Sequence, residues 1–492
     1  MGRINTNIPS LIAQANLSRS NRDLAVHLER LATGLRINRG ADDPAGLIVS
    51  ERLRSEAMGL SQAITNSQRA SSVIATTEGY LAEVADLLTS IRGLIVESAN
   101  EAGTTREEIE ANQLQVDSAI NAITRISNVA TFAGLQLLNG TLAYITSGVA
   151  TSAIADVNVF SAQYGTNTHI PVQVEVIASA QTASLFLSGN VPGAPGALLS
   201  SVTLEIVGNI GVQTLTFSSG VGLAAVVGAI NLIRDATGVS AALVDALDPT
   251  SGMTFNSIGY GTSQFVSVRQ FGQGGAFFSV QEFQGGPDIG RDEGQDVTAV
   301  VNGTLAVGNG LEVQLNTPAL ALELVLTPEY AQTIGVQRAF EIAGGGAIFQ
   351  LGPEINFGQQ VGLGVQSVSE SRLGGTMLSG VRYFLDSIKA GQTNSLVAGS
   401  SQEAALIIDK AIDDIAVLRG RLGAFERNLI ETNIRSLQIG LENITAAESR
   451  IRDADFAFET AALTRAQILV QAGVSVLATA NTTSQSVLAL LQ

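Results

Sequence analysis

The 492 residues contain no cysteine, two histidines (His27 and His169) and two lysines (Lys389 and Lys410). Without cysteine there is no disulfide framework, no thiol nucleophile and no thiolate metal site. Two histidines are too few for a histidine-based zinc site, and no H-E-x-x-H run exists. Neither lysine sits in a G-x-x-x-x-G-K-[ST] loop, so no P-loop is present. Charged residues are 14% of the chain and the net charge is −17. That balance excludes a nucleic-acid partner, whose phosphates need a basic surface. The longest uncharged run with helical character, Ala466–Gln492, is interrupted by Gln467, Gln471, Thr479, Asn481, Thr482 and Thr483. This argues against membrane insertion. Met1–Asn5 lacks the apolar segment of a secretory signal. The chain is therefore expected to be cytoplasmic, or exported by a route that reads no such signal.

Helix breakers are unevenly placed. Proline is absent from 45–170 and from 354–492, and of 51 glycines nine lie in 1–139 and four in 401–492. The ends are free to be helical and the middle is rich in turns. Arginine follows the same division, with 12 of 25 in 1–139 and 7 in 401–492. Its planar fork suits interfaces.

The ends carry a helical period. Leu53, Ala57, Leu60, Ile64, Ser67, Ser71, Ile74, Glu78, Leu81, Ala85, Leu88, Arg92 and Ile95 advance by alternate threes and fours. That is the mark of a coiled-coil seam held for about six heptads. Ile109, Gln113, Val116, Ile120 and Ile123 form a second run. Ile408, Ile412, Ile415, Leu418, Leu422, Phe425 and Leu429, continued by Leu437, Leu441 and Ile444, form a third. A helix of about 50 residues spans roughly 75 Å, so the ends predict a rod. The outermost segments, 1–36 and 459–492, read as thinner amphipathic helices that cannot bury their faces alone. Asp42-Asp43 stand just before the long helix that starts near Pro44. There carboxylates cap free amides, and a metal-binding role is not expected of adjacent residues.

The middle reads as β-structure. Val172, Val174 and Val176 alternate with polar residues, as do Val202, Leu204 and Ile206, and Leu311, Val313 and Leu315. One helix is expected over Leu223–Thr237, stopped by Gly238. Gly344-Gly345-Gly346 reads as a hinge or turn. No catalytic constellation stands out, His27 reads as a helix-face or interface residue, and no cofactor is implied.

The ends resemble a known family. Ile4 to Glu56, with Gly34-Leu35-Arg36-Ile37-Asn38, Asp42-Asp43 and Ala45-Gly46, is similar to the N-terminal signature of bacterial flagellins. Ser449 to Gln492, with Arg465-Ala466-Gln467-Ile468-Leu469 and Gln471-Ala472-Gly473, resembles their C-terminal signature. Val212 to Phe271 is similar to a module of some flagellins and hook-associated proteins that holds an Ile-Asn pair, here Ile230-Asn231. Pro44 and Arg39 depart from common flagellin residues, and Pro44 also occurs in the related hook–filament junction protein.

The resemblance implies an α+β fold: a long α-helical coiled-coil rod formed by both chain termini, with an inserted, mainly β outer domain. It implies a terminal inner coiled-coil domain (1–43 plus 455–492), a helical rod domain (44–170 plus 346–454) and a surface-exposed β-rich region (171–345). The Ile-Asn module lies around 200–272. It implies a structural filament subunit for motility, not an enzyme; the runner-up is the hook-associated junction protein. Expected partners are further copies of the chain, the flagellar type III export apparatus, an export chaperone, and cap and hook-associated proteins. The expected place is the extracellular filament. Inter-subunit contacts are expected from Ile8, Leu11, Leu28, Leu31, Leu35, Arg36, Asn38, Asp42, Asp43, Arg465, Leu469, Val476, Leu490 and Leu491. Flagellins bound by the Toll-like innate-immune receptor present a basic residue, a leucine and an acidic residue on the rod. Arg92, Leu94 and Gln115 match this incompletely, so receptor activation is expected to be weak or absent.

Overall fold

Capping chemistry sets the helix limits. The computed structural model describes residues 6–100, 103–165, 167–271, 278–378 and 381–489. Helix α1 spans Ile8–Thr33; Asn7 accepts the Ser10 N–H at 3.1 Å, and Gly34 ends the helix at φ +71°. Helix α2 spans Pro44–Ser98, with the Asp43 carboxylate accepting the Gly46 N–H at 2.9 Å. This is the amide capping expected of Asp43. Helix α3, Arg106–Val129, opens on a reciprocal capping box between Thr105 and Glu108. Helix α4 (Leu223–Leu232) and the single turns α5 (Arg234–Thr237) and α6 (Pro328–Ala331) lie among strands. Helices α7 (Ser401–Phe425), α8 (Glu431–Arg452) and α9 (Phe456–Ala489) complete the chain.

Two expectations are corrected in detail. The helix over Leu223–Thr237 breaks at Ile233, although Gly238 does stop the second piece at φ +78°. The α2 seam is half right. Leu60, Ser67, Ile74, Leu81, Leu88 and Ile95 are buried, but the second buried column is Ala63, Ala70, Thr77, Val84, Ile91 and Ser98. It lies one residue before the column anticipated. Both columns have the same period, and the true one is rich in small and polar residues, so hydrophobicity alone does not select it. Buried Ser67 and Thr77 are satisfied by carbonyls one turn back, each at 2.8 Å.

The chain divides into two units. The first comprises Met1–Ser72, Gln350–Gln359 and Gly423–Gln492. Within it α1 packs on α9. Leu60 and Ala63 of α2 form a small core with Leu437, flanked by Ile64, Leu441 and Ile444. Asn433 donates to the Leu351 carbonyl at 2.7 Å, tying the 350–359 segment to α8.

The second unit comprises Val73–Phe349 and Gln360–Leu422. Its helices bury Val84, Leu88, Ile91 and Ile95 of α2, Val116, Ile120 and Ile123 of α3, and Ile407, Ile408, Ala411 and Ile415 of α7. Gln113 of the second run is buried with both ends of its amide used. It donates to the Ile388 carbonyl at 2.9 Å and accepts the Leu396 N–H at 2.8 Å.

An eight-stranded antiparallel sheet follows. Its order is Tyr144–Ser147, Gln337–Gly345, Ile170–Ala178, Thr298–Val301, Thr304–Asn309, Glu312–Asn316, Leu320–Leu326 and Ile154–Ala162. The sheet curls so that its outer strands meet: the Tyr144 hydroxyl accepts the Ala162 N–H at 3.0 Å. Val172, Val174, Val176, Val313 and Leu315 all lie in its core, as their alternation predicts. The triple glycine is a close approach at a strand end. A Cβ on Gly345 would sit 2.3 Å from the Ala143 carbonyl oxygen, and one on Gly346 would sit 2.5 Å from the Tyr144 ring.

Two four-stranded sheets and α4 share a third core, with Leu204, Ile206, Phe255 and Ile230. Asn231 bridges to a neighbouring strand. Its side chain donates to the Ala241 carbonyl at 2.9 Å and accepts the Ala241 N–H at 2.8 Å. The Ile-Asn pair is thus one residue for the core and one for the sheet.

Candidate assembly surface

The conspicuous surface is the pair formed by α1 and α9. The helices run antiparallel: Asn7 donates to the Ala480 carbonyl at 3.0 Å, Leu17 lies against Gly473, and Glu459 meets His27 and Arg30. Small residues alternate with larger ones along the seam. Ala13 and Ala466 are buried, and a Cβ on Gly473 would lie 3.2 Å from the end of Leu17. Small residues allow close helix approach but bury little area.

One charge is sunk in this seam. Glu459 is 3% exposed, with Arg30 at 3.0 Å and the His27 ring nitrogen on its second oxygen. Burial alone would raise its carboxyl, but the hydrogen bonds from His27 and Arg30 prevail and hold it below the usual range. Glu459 was not anticipated from the sequence. The available signal is that it is the only acidic residue in α9.

The signature between α1 and α2 is a bolted turn. Leu35 bridges Asp453, with the Arg36 N–H donating to the Arg452 carbonyl at 2.7 Å and the Ala454 N–H to the Gly34 carbonyl at 2.9 Å. The Arg36 guanidinium reaches the Ile451 carbonyl at 2.6 Å. Asn38 donates to the Leu35 carbonyl at 3.0 Å. Asp42 accepts the Arg39 and Asn38 N–H groups at 2.8 and 3.0 Å, and these bonds lower its pKa. Ile37 is buried beneath the turn.

Many large apolar residues stay uncovered. Ile8, Leu11, Leu28, Leu469 and Val476 are 45–57% exposed, and Ile12, Ile468 and Val474 are exposed beside them. Leu31 and Leu35 are half-buried, and Arg465 is exposed. Leu490 and Leu491 lie outside the described residues. Phe456–Thr482 of α9 is long and apolar enough to cross a membrane, and its most apolar 18 residues have mean hydropathy 1.3 with 6% of them buried.

Arg92, Leu94 and Gln115 belong to the second unit. Arg92 is exposed and pairs with Asp409 of α7 at 2.7 Å, Leu94 is half-buried and Gln115 is exposed. The same unit holds a cleft of about 750 Å³ between the eight-stranded sheet and α7. Its charges face one another: Lys410 lies 3.6 Å from Glu312 and from Asp414, Arg421 3.3 Å from Glu323, and Arg382 3.1 Å from Asp156. Among the described residues no group of three or more histidine or carboxylate side chains converges as a metal site.

Comparison with known proteins bears on the two terminal regions. Residues 4–143 match the bacterial flagellin N-terminal helical region, and residues 406–491 match the C-terminal helical region. Relatives align end to end. Flagellin of Salmonella muenchen is 26% identical over 99% of both chains. B-type flagellin of Pseudomonas aeruginosa is 29% identical over 99% of both. Flagellin B of Helicobacter pylori is 28% identical over 100% of this chain and 99% of its own. A solved flagellar hook associated protein-3 from Legionella pneumophila covers 82% of this chain and 98% of its own at 12% identity. Its TM-score is 0.30, too low to bear on fold or function. Both terminal regions match in order and the relatives align end to end, which supports a bacterial flagellin, a structural subunit of the flagellar filament.

Proposed function

We propose that copies of this chain polymerise with one another through the α1–α9 pair, into a hollow helical filament that acts as a propeller. The observation that supports this is the exposure of Ile8, Leu11, Ile12, Leu28, Ile468, Leu469, Val474 and Val476 on two paired helices. Covering the exposed half of each such side chain is worth about 1 kcal/mol. Eight of them offset much of the entropy of ordering two helices that are marginal alone. Folding of the outermost segments and assembly are then one event. The polar residues Gln467, Gln471, Thr479 and Asn481 along α9 favour protein neighbours over lipid as the cover.

In this reading 1–43 with 455–492 form the inner domain, 44–170 with 346–454 the rod, and 171–345 the exposed outer region. Ile8, Leu11, Leu28, Leu31, Leu469 and Val476 make inter-subunit contacts. Leu35, Arg36, Asn38, Asp42 and Asp43 keep the turn that joins the inner domain to the rod, and Arg465 faces a neighbouring copy. The chain leaves the cell through the type III export apparatus, with an export chaperone, and assembles at the tip with cap and hook-associated proteins. It performs no catalysis. Arg92, held by Asp409, contributes little to an innate-immune receptor contact.

Deleting 466–492 tests the reading. The truncated chain is expected to stay soluble with its rod helices intact, and to fail to elongate filament seeds. Normal filaments from the truncated chain would refute it. Seeds that full-length chain cannot elongate would favour the junction-protein alternative.

A further inference from the structure

We infer that Glu459, read by His27 and Arg30, determines which helix α9 accepts as its partner: it selects α1 and rejects the α9 of a second copy. The inference concerns the terminal pair and goes beyond the polymerisation proposed above.

Most of the α9 surface is unselective. Its seam toward α1 runs through Glu459, Leu463, Ala466, Val470, Gly473, Leu477 and Ala480, a strict seven-residue repeat of half-buried or buried positions. Small residues at 466, 473 and 480 would let any similar helix approach as closely as α1 does. Outside the seam α9 exposes Phe456, Phe458, Ile468, Leu469, Val474 and Val476 among polar side chains. By area alone, two copies of α9 would pair as readily with each other as with α1.

Glu459 breaks that symmetry. Buried in the seam, it needs polar partners from the facing helix, and α1 supplies the His27 ring nitrogen and the Arg30 guanidinium three residues apart. A second α9 has none to offer there. The only basic residue of α9 is Arg465, which is exposed and six residues away, about a third of a turn round the helix from Glu459. A homotypic pair would therefore bury a carboxylate with no counter-charge, which is strongly unfavourable. In the α1 pair the bonds from His27 and Arg30 hold the carboxyl ionised against burial; in a homotypic pair it would be buried charged or take up a proton, and either is unfavourable. A single polar group in an apolar helix seam fixes partner choice in this way.

The absence of cysteine makes the test direct. Leu17 Cβ lies 3.6 Å from a Cβ built on Gly473, within disulfide range. Full-length chains carrying L17C/G473C, or G473C alone, are oxidised with Glu459 intact and with E459L. The bonds are mapped by mass spectrometry in soluble and sedimented fractions. With Glu459 intact, L17C/G473C is expected to close an α1–α9 disulfide and G473C alone to stay uncoupled. With E459L, the G473C dimer fraction is expected to rise at least tenfold. The E459D variant should restore most of the discrimination. A triple H27L/R30M/E459L chain, which strands no charge, should show the same dimers if E459L alone folds poorly. The inference is overturned if G473C dimers already form with Glu459 present, or if E459L and the triple variant leave them absent. The backbone bridge between Leu35 and Asp453 lies outside the substituted positions and holds α1 beside α9 within one copy, so the dimer fraction is compared between chains that share this restraint. Seeded elongation of these variants bears on polymerisation alone; the cross-links decide the partner choice.

Discussion

Gly46→Ala sets two effects of opposite sign against each other in the first turn of α2. Glycine inside a helix costs about 1 kcal/mol relative to alanine, so propensity predicts stabilisation. The surroundings predict otherwise. A Cβ on Gly46 would lie 2.5 Å from Asp43 Oδ2 and 2.8 Å from Ile37 Cδ1. Both atoms end side chains and can move, but each movement has a defined cost. Swinging Asp43 away gives up its bond to the Gly46 N–H, a cap worth about 1 kcal/mol. Ile37 is 1% exposed, and displacing it costs roughly 1–2 kcal/mol of repacking. The net is about 1–2 kcal/mol of destabilisation, localised to the turn at 34–50.

Two glycines in the same helix serve as controls. Around Gly79 and Gly93 no atom lies within 4 Å of an added Cβ, and both positions are exposed. There alanine should stabilise by about 0.5–1 kcal/mol. Native-state hydrogen exchange read by mass spectrometry resolves each region. Amides of 46–50 should exchange roughly 5- to 30-fold faster in G46A, since 1.4 kcal/mol is about tenfold. Amides after Gly79 should slow about two- to fivefold in G79A. Equal slowing in both variants would show that the Asp43 and Ile37 contacts do not constrain the turn.

Gln113→Leu should destabilise the second unit by about 3 kcal/mol, because it leaves the Ile388 carbonyl and Leu396 N–H buried without partners; an unchanged urea midpoint for that unit would contradict this. Asn231→Ala should cost about 1–2 kcal/mol locally by freeing both backbone groups of Ala241, seen as faster exchange in 239–245. The terminal pair should loosen in acid. Glu459 has a folded pKa below its unfolded value, so its contribution is complete above the ordinary glutamate value of about 4.3. It is lost as pH falls from there through the folded value. Circular dichroism of assembled material between pH 6 and 2 should show this loss in the parent chain, and E459Q should remove that component.

The helices were legible because their evidence is local. The placing of proline and glycine marked the ends, and the seven-residue period marked the stripes. The Asp43 cap followed from its place beside Pro44. Strand partners were not legible. Ile170–Ala178 pairs with Thr298–Val301 and with Gln337–Gly345, and nothing in an alternating run names a partner more than a hundred residues away. The terminal seam was hidden for a different reason. A search for large apolar residues finds Leu11, Leu28 and Leu469, which lie outside the α1–α9 contact. The contact alternates the half-buried Leu463, Val470 and Leu477 with Ala466, Gly473 and Ala480, whose value is what they allow to approach.

The third stripe shows how a correct period can still assign the wrong residue. Ile408, Ile415 and Leu422 are buried at steps of seven, which predicts Leu429 next. The buried residue is Ile430, and Leu429 is only half-buried. From there the steps of seven resume through Leu437 to the half-buried Ile444. A five-residue π turn at Glu426–Ile430 accounts for the extra residue. It takes up one more residue than an α-helical turn, so every later side chain is rotated by about 100° relative to an unbroken helix. Without it, Leu437 would be turned away from Leu60 and Ala63, which it meets within the first unit. The sequence carries this only as one step of eight among steps of seven, with Leu429 and Ile430 adjacent and equally apolar. Which of the two is buried is decided by the partners each half of the helix must reach.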